Sequence, residues 1–426
     1  MKVLVLGSGA REHALVRAIA ADPEVEAIVA APGNPGIDAT ALCVDIDILD
    51  GEAVAELARK HEVDLVVVGP EAPLVAGVAD VCRGAGLVVC GPSAAAARLE
   101  GSKSFAKEVM AAAEVPTALA HVCTTMAEVE AALDALGAPH VVKDDGLAAG
   151  KGVVVTESRE EALEHARACL AKADGRLVVE EYLDGPEVSV FCLSDGETVV
   201  ALEPAQDFKR VADGDEGPNT GGMGAYSPLD WAPAGLADDV VARVAQPTID
   251  EMRRRGTPFV GILYVGLALT SRGPKVVEFN ARLGDPDGQA VLARLETPLA
   301  QLLLATATGG LDDFRHLRWS DDRAVVVVVA SEGYPSAPRT GDPITGLDAA
   351  AEVPGVVVLH AGTRLDEHGT LVSAGGRVLD VVAVGTDLAK ARRAAYDAVD
   401  LIELEGSHFR TDIALAAERG EIQVGA

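Results

Sequence analysis

Residues 140–156 read HVVKDDGLAAGKGVVVT. Two runs of β-branched residues flank a turn of small ones, so the stretch reads as a hairpin: strand HVVK, a glycine turn, strand GVVVT. Lys143 and Lys151 bracket the turn, which holds Gly146, Gly150 and Gly152. Two cations beside nearly bare backbone suit a tip that closes over phosphate. The same pattern also suits a solvated turn kept soluble by its lysines. The hairpin also divides the chain, because the periodicity before it differs from the periodicity after it.

Upstream, short apolar runs alternate with amphipathic stretches. KVLVLG, VEAIVA, LCVDI (42–46), DLVVVG and LVVCG read as buried strands, and REHALVRAIAAD, GEAVAELARKH and PLVAGVADVCRGA (73–85) as the crossovers between them. Such alternation predicts a doubly wound parallel sheet. GPSAAAARLEGSKSFAKEVMAAAEVP then supplies two helices and a break at Pro116. Downstream, the helix SREEALEHARACLAKA and the strand RLVVEEYL complete a small α+β unit, which leads into a larger antiparallel sheet. A further hairpin, GILYVGLALT–SRGP–KVVEFN, is expected to turn at Gly273-Pro274. Helices at QAVLARL and PLAQLLLATATGG close this region. AVVVVVA opens a last segment of short strands that ends in a helix over 387–404. The expected division is 1–101, an N-terminal doubly wound α/β domain; 102–312, a central domain with a lid over about 118–185; and 320–426, a small α+β domain.

The 426 residues carry a net charge of −30, which repels polyanions and counts against nucleic acid and anionic membrane as partners. Aromatic residues make up only 3%, too few for base-stacking surfaces. A phosphorylated ligand must therefore be captured by a local basic pocket. The six cysteines are scattered without a CxxC pair, as expected of reduced thiols in a cytoplasmic protein. MKVLVLGSGAREHAL is charged too early for a signal peptide, and no apolar run reaches the ~18 residues of a bilayer span.

Several segments carry candidate chemistry. In GSGAREH, Gly7 and Gly9 lie between strand and helix, where free N–H groups can face an anion. Glu12 stands where a dinucleotide fingerprint needs its third glycine, and the second strand ends without the acid that grips a nicotinamide ribose. GPEAPL (69–74) ends another strand on the same edge. In KVVEFN, a period of two puts Val276, Glu278 and Asn280 on one face, with Val277 and Phe279 in a core. A carboxylate and an amide oxygen so placed suit Mg²⁺ shared with nucleotide phosphates, or simply form a polar pair on an edge strand. Arg282 and the turn GDPDG follow at once. Glu180 and Glu181, with Glu187 shortly after, are either ribose-binding carboxylates or exposed strand residues. The segment 206–228, QDFKRVADGDEGPNTGGMGAYSP, is a long polar, Gly-rich connection whose mixed charges suit a zwitterion. In this order, these parts describe ATP held between two sheets with an acid substrate nearby.

GSGAREHAL, GPEAPLVAG, LEGSKSFAK, KDDGLAAGKGVVV, EEYLDGPEVSVF, NTGGMGAYSP, EFNARLGDP, HAGT and GGRVL together resemble the glycinamide ribonucleotide synthetase (phosphoribosylamine–glycine ligase) family of ATP-grasp enzymes, over essentially the whole chain. The chain departs at Ala10, Phe208, Leu283 and GDPDGQ, where many members have Gly, His, Phe and GDPETQ; only Phe208 borders the expected substrate loop. The resemblance implies an ADP-forming carbon–nitrogen ligase of purine biosynthesis that joins glycine to 5-phosphoribosylamine through glycyl phosphate. Another ATP-grasp carboxylate–amine ligase is the alternative. It further implies that Lys103, Lys143, Gly146, Gly150, Lys151, Gly152, Glu180 and Glu187 bind ATP, and that Glu278 and Asn280 hold Mg²⁺ or Mn²⁺. Arg282 and Lys143 would be catalytic, and Gly9, Glu71, Asp213, Asn219, Gly221 and Gly222 would meet the other substrates. A monomeric, cytoplasmic protein is expected, with small-molecule partners only.

Overall fold

The computed structural model describes residues 1–147, 152–172 and 175–424; Gly150 and Lys151 of the glycine hairpin fall outside them. At the N-terminus five parallel strands form one sheet: Lys2–Gly7, Ala27–Pro32, Leu42–Cys43, Leu65–Val68 and Val89–Cys90. Their spatial order is third, second, first, fourth, fifth. Helices cover both faces, which is why these strands read as unbroken apolar runs. The order reverses between Lys2–Gly7 and Leu65–Val68, and a crevice for ligands forms at such a switch point. It is bordered by the turns that begin at Gly7 and Gly69.

Two local expectations fail here. The strand expected over 42–46 pairs only at Leu42–Cys43, after which a single bond from Val44 N–H to Ala30 O (2.9 Å) ends the ladder. The helix expected over 73–85 is two, Glu71–Val75 and Val78–Gly84, broken by Gly77 at φ +85°, a conformation that glycine adopts cheaply.

The segment expected to form the lid holds a four-stranded antiparallel sheet in the order Ala120–Cys123, Leu177–Glu180, His140–Asp144, Val153–Thr156. Helices Met126–Leu136 and Arg159–Leu170, capped by Thr125 and Ser158, pack on it around Val129, Leu133, Val142, Ala166 and Leu177. The hairpin pairs His140 with Thr156 and Lys143 with Val153.

A second four-stranded sheet faces it, in the order Val199–Ala201, Glu187–Asp195, Val260–Thr270, Gly273–Asn280. Its last hairpin turns at Ser271 and Arg272, one step before the expected Gly273-Pro274, which instead begins the returning strand. Gly266 pairs with Glu278 but Leu267 pairs with Val276, so Val277 is an extra residue in a β-bulge. The expected strict alternation therefore breaks: Val276 and Phe279 enter the core, while Val277 does not.

The third large sheet joins Gln206–Asp207 and Gly224–Ser227 to the C-terminal strands Arg323–Ala330, Arg377–Gly385 and Val356–His360. Helix Leu388–Val399 packs on it. This helix stops before the expected 404 because Glu403–Leu404 pairs as a strand with Ile344–Thr345. All six cysteines are free thiols. Among the described residues no helix is long and apolar enough to cross a membrane.

Candidate functional site: a cleft between the lid and the central sheet

A cleft lies between the lid and the central sheet, lined by Lys103, Lys143, Glu180, Glu278 and Asn280, with Glu100, Lys107, Val277 and Phe279 beside them. Lys103 opens the helix Lys103–Ala112, whose cap is Ser102; Lys143 is the next-to-last residue of one lid strand, and Glu180 ends its neighbour. Lys143 Nζ is 3.0 Å from Glu180 Oε2 and donates to the Val277 carbonyl at 3.0 Å. Glu180 is therefore no exposed strand residue; it is 3% accessible. Glu181, at the exit of the same strand, is tied to Lys275 Nζ at 2.5 Å and Arg272 at 3.3 Å.

The described part of the glycine turn is fastened to the helix that carries Lys103. Lys103 Nζ donates to Gly146 O at 3.1 Å, and the Asp145 carboxylate accepts from Ser104 N (3.1 Å) and Ser104 Oγ (2.5 Å). The Gly152 carbonyl accepts from Asp144 N at 2.7 Å and closes the base of the hairpin. Gly150 and Lys151 lie outside the described residues.

Next to this cleft is a second, small cavity, lined by Arg282, Leu283, Gly69, Gly91 and Val68 at the N-terminal sheet's edge. Arg282 is held there by Glu100 Oε1 at 3.1 Å and Glu71 Oε2 at 3.4 Å. Glu100 also lines the first cleft and accepts the Ala281 N–H at 2.7 Å, so it joins the two spaces. Burial pushes the Glu100 carboxyl up, partly countered by Arg282. Burial acts the same way on Glu71, but Arg282 and Arg11 outweigh it and hold the group below its ordinary value.

The Gly9 turn differs from an open anion cradle. Gly9 N–H already donates to Glu12 Oε2 at 2.7 Å, and Arg11 Nε sits 2.7 Å from Glu12 Oε1. A Cβ on Gly69 would lie 2.2 Å from that carboxylate, and one on Gly7 2.5 Å, so both turns close around Glu12. The residue that spoiled the dinucleotide fingerprint thus takes the donor that a phosphate would use.

The remaining candidates sit farther out. Glu187 pairs with Lys209 Nζ at 2.6 Å, which holds its carboxyl low, and is not part of the Lys143 cleft's lining. Asp213 accepts from Thr411 N at 2.8 Å and from Thr411 Oγ1; Asn219 pairs across from Arg210. Neither lines either cavity. Gly221 donates to Tyr334 Oη at 3.0 Å, and its carbonyl accepts from Arg377 at 2.8 Å. Gly222, at φ +118°, lies against the Asp285-Pro286 turn, where a Cβ would come within 2.4 Å of Pro286 Cδ.

Comparison with known proteins agrees over the entire chain. Residues 1–100, 101–288 and 324–416 match in turn the models for the phosphoribosylglycinamide synthetase N domain, ATP-grasp (A) domain and C domain. The chain belongs to the phosphoribosylglycinamide synthetase family. Within the family, the phosphoribosylamine–glycine ligase of Streptomyces coelicolor is 65% identical over 419 residues, 98% of this chain and 99% of that one. The Mycobacterium tuberculosis ligase is 55% identical over 429 residues and covers both chains fully. The crystal structure of the Thermotoga maritima ligase superposes with a TM-score of 0.84 at 32% identity, over 97% of this chain and all of that one. The family's fold, a parallel N-terminal sheet, a central ATP-grasp domain and a small C-terminal domain, is the one described above.

Reading the sequence missed Lys107 and Arg377. Lys107 had a signal, since Lys103 and Lys107 are four apart and share one helix face. Asp207 belongs to the mixed-charge segment 206–228, but its environment does not show in the sequence: its carboxyl is pushed to about 7 by burial, with Asp287, Glu187 and Glu278 adding to the effect and Lys209 opposing it. Arg377 stands within GGRVL, but its partner Asp285 (3.1 Å) is distant in sequence.

Proposed function

We propose that the two joined cavities carry out the ligation of glycine to 5-phosphoribosylamine with ATP, giving ADP, phosphate and glycinamide ribonucleotide, the reaction of a purine-biosynthetic ATP-grasp ligase. The observation that carries this reading is the convergence of Lys103, Lys143, Glu278 and Asn280 on one cleft that Glu100 links to Arg282.

The glycine carboxylate and a triphosphate are both anions, so the site must neutralise charge where they meet. Lys103 and Lys143 bind the phosphates, under the hairpin that holds Gly146, Gly150, Lys151 and Gly152, and Glu180 and Glu187 face the nucleoside. Arg282 stabilises the phosphoryl group as the glycine carboxylate oxygen attacks the γ-phosphorus and ADP leaves. The amine of phosphoribosylamine then attacks the acyl carbon of glycyl phosphate, the C–O bond to phosphate breaks, and the amine's proton leaves with the products. Gly9, Glu71 and the NTGG loop (Asn219, Gly221, Gly222) border the acceptor side, and Asp213 anchors that loop's base to the C-terminal segment. A lid closed over the cleft keeps water from the acyl phosphate.

Among the described residues no three His, Cys, Asp or Glu side chains converge on a metal-sized point. Two hard oxygen donors, Glu278 and Asn280, do face the phosphate-binding lysines, and that set suits an ion that takes its other ligands from phosphate and water. When bound, Mg²⁺ or Mn²⁺ supplies neutralisation of the phosphate oxygens. Six free thiols support a cytoplasmic location, and a monomer is the accompanying reading.

ADP release, measured with each substrate omitted in turn, tests the reading. It should depend on glycine, and amide formation should depend on phosphoribosylamine as well. ADP formation indifferent to glycine would overturn it.

A further inference from the structure

Among the described residues that line the cleft, Lys107 is the cation for which the reaction has so far had no use. It points from the helix Lys103–Ala112 into the floor of the cleft, and its side chain is 10% accessible. Its Nζ lies 3.3 Å from Glu180 Oε1, while Lys143 holds the other oxygen, Oε2, at 3.0 Å. It also donates to Thr117 Oγ1 at 2.8 Å and to Ala118 O at 3.3 Å. Thr117 Oγ1 in turn donates to Val276 O at 2.7 Å, on the strand that carries Glu278 and Asn280.

Residues 117–118 lead into the lid and Glu180 ends the strand that leads out of it, so one ammonium touches both crossings. The two crossings are also bonded directly, from Glu181 N to Leu119 O at 2.9 Å. Glu180 is a buried carboxylate, and a buried charge needs a partner. If Lys143 were its only partner, turning Lys143 toward phosphate would leave Glu180 unpaired. Lys107 removes that penalty.

We propose that Lys107 is a nucleotide-positioning residue that neutralises Glu180, so freeing the Lys143 ammonium for phosphate, and that staples both ends of the lid to the metal-ligand strand. The inference rests on reading this cleft as the ATP site. It has a pH signature. Burial lowers the Lys107 pKa to about 8, with Lys143 acting in the same direction and Glu180 and Glu181 opposing. The other charged groups lining the cleft are Lys103 on its own helix, Glu100 on the preceding one and Glu278 on the central sheet. Lys107 is charged below pH ~8 and neutral above it, so Glu180 claims Lys143 for itself as the pH rises.

The test is calorimetric binding of a non-hydrolysable ATP analogue to the full chain between pH 6.5 and 9.5, together with steady-state KM values. In the wild type, affinity should fall through pH ~8. Lys107→Met keeps the apolar stem, and should weaken analogue binding about tenfold or more at pH 7 and lose that pH step. Its KM for ATP should rise while the KM for glycine stays within about twofold. Lys107→Arg, charged throughout, should keep its affinity at pH 9.5. Lys107→Met binding within twofold of wild type, or equal rises in both KM values, would overturn the proposal. A wild type that binds no analogue would overturn the nucleotide reading itself, and this inference with it.

Discussion

Arg282 offers the most direct measure of how much charge the site needs. It is flanked by Glu100 at 3.1 Å and Glu71 at 3.4 Å, so the triad carries a net charge of at most −1 with the guanidinium present and one more negative without it. A unit charge about 6 Å from a phosphoryl oxygen, at an effective dielectric constant of about 20, is worth roughly 2.8 kcal/mol. The range for one charge-assisted hydrogen bond, about 1.5–3 kcal/mol, is similar. Arg282→Gln should therefore lower kcat roughly 10- to 150-fold, at about 1.4 kcal/mol per tenfold. ATP-analogue affinity should change far less, because Lys103 and Lys143 remain. The loss should also depend on pH. Arg282 is a chief reason that Glu71 ionises readily, and burial already favours a neutral Glu100. Without the guanidinium both carboxyls rise, so acid neutralises them and relieves the excess negative charge. The ratio of wild-type to variant kcat should shrink between pH 8 and pH 6. A kcat within threefold of wild type, or a ratio that stays flat or grows toward low pH, would refute the electrostatic account.

Three further outcomes follow from the same geometry. Glu278→Ala should abolish turnover and weaken Mn²⁺ binding while leaving the circular dichroism spectrum intact; near-normal kinetics would remove the metal assignment. Gly222→Ala would force φ +118° on a residue with a Cβ and press it against Pro286 Cδ, at a cost of roughly 2–5 kcal/mol. The readouts are a lower thermal midpoint and faster proteolysis after Arg210, and an unchanged protein would show that the loop is not seated as described. Burial pushes the Asp207 carboxyl up to about 7, protonated below and charged above, and the Glu278 carboxylate adds to that rise. Metal affinity should therefore strengthen as the pH rises from 6 to 8, and Asp207→Asn should lose that rise; an identical slope in the variant would exclude the coupling.

Much of the architecture was legible because local periodicity and tertiary placement agree. The N-terminal strands are apolar on both faces because helices cover both, and the glycine hairpin keeps the register that its β-branched runs specify. What failed was local geometry set by distant partners. Nothing in KVVEFN announces that Val277 is one residue too many; the bulge exists relative to Gly266 on the neighbouring strand. Helix 387–404 reads as continuous until Ile344–Thr345 takes Glu403–Leu404 as a strand partner. The pair of roles on Glu180 is likewise invisible, since Lys107 and Lys143 reach it from elements 36 residues apart in the sequence.

Glu12 shows the same limit from the opposite side, because there the sequence pointed to a ligand and the fold supplied its own. A strand–glycine–helix turn offers N–H groups and a positive helix end to whatever anion is nearest. In this chain the nearest anion is covalently attached: Glu12, 2% accessible, bonds the Gly9 N–H and is neutralised by Arg11. Displacing it would strand a buried guanidinium, at a cost of about 3–5 kcal/mol, more than one exposed phosphate contact returns. The donors of this turn are therefore committed to holding the two N-terminal loops together, since Gly7 and Gly69 both close on the same carboxylate. A phosphorylated substrate that reaches this edge must find its cations elsewhere. Among the residues that line the neighbouring cavity the cation is the half-buried Arg282, at the seam between the N-terminal sheet and the central domain.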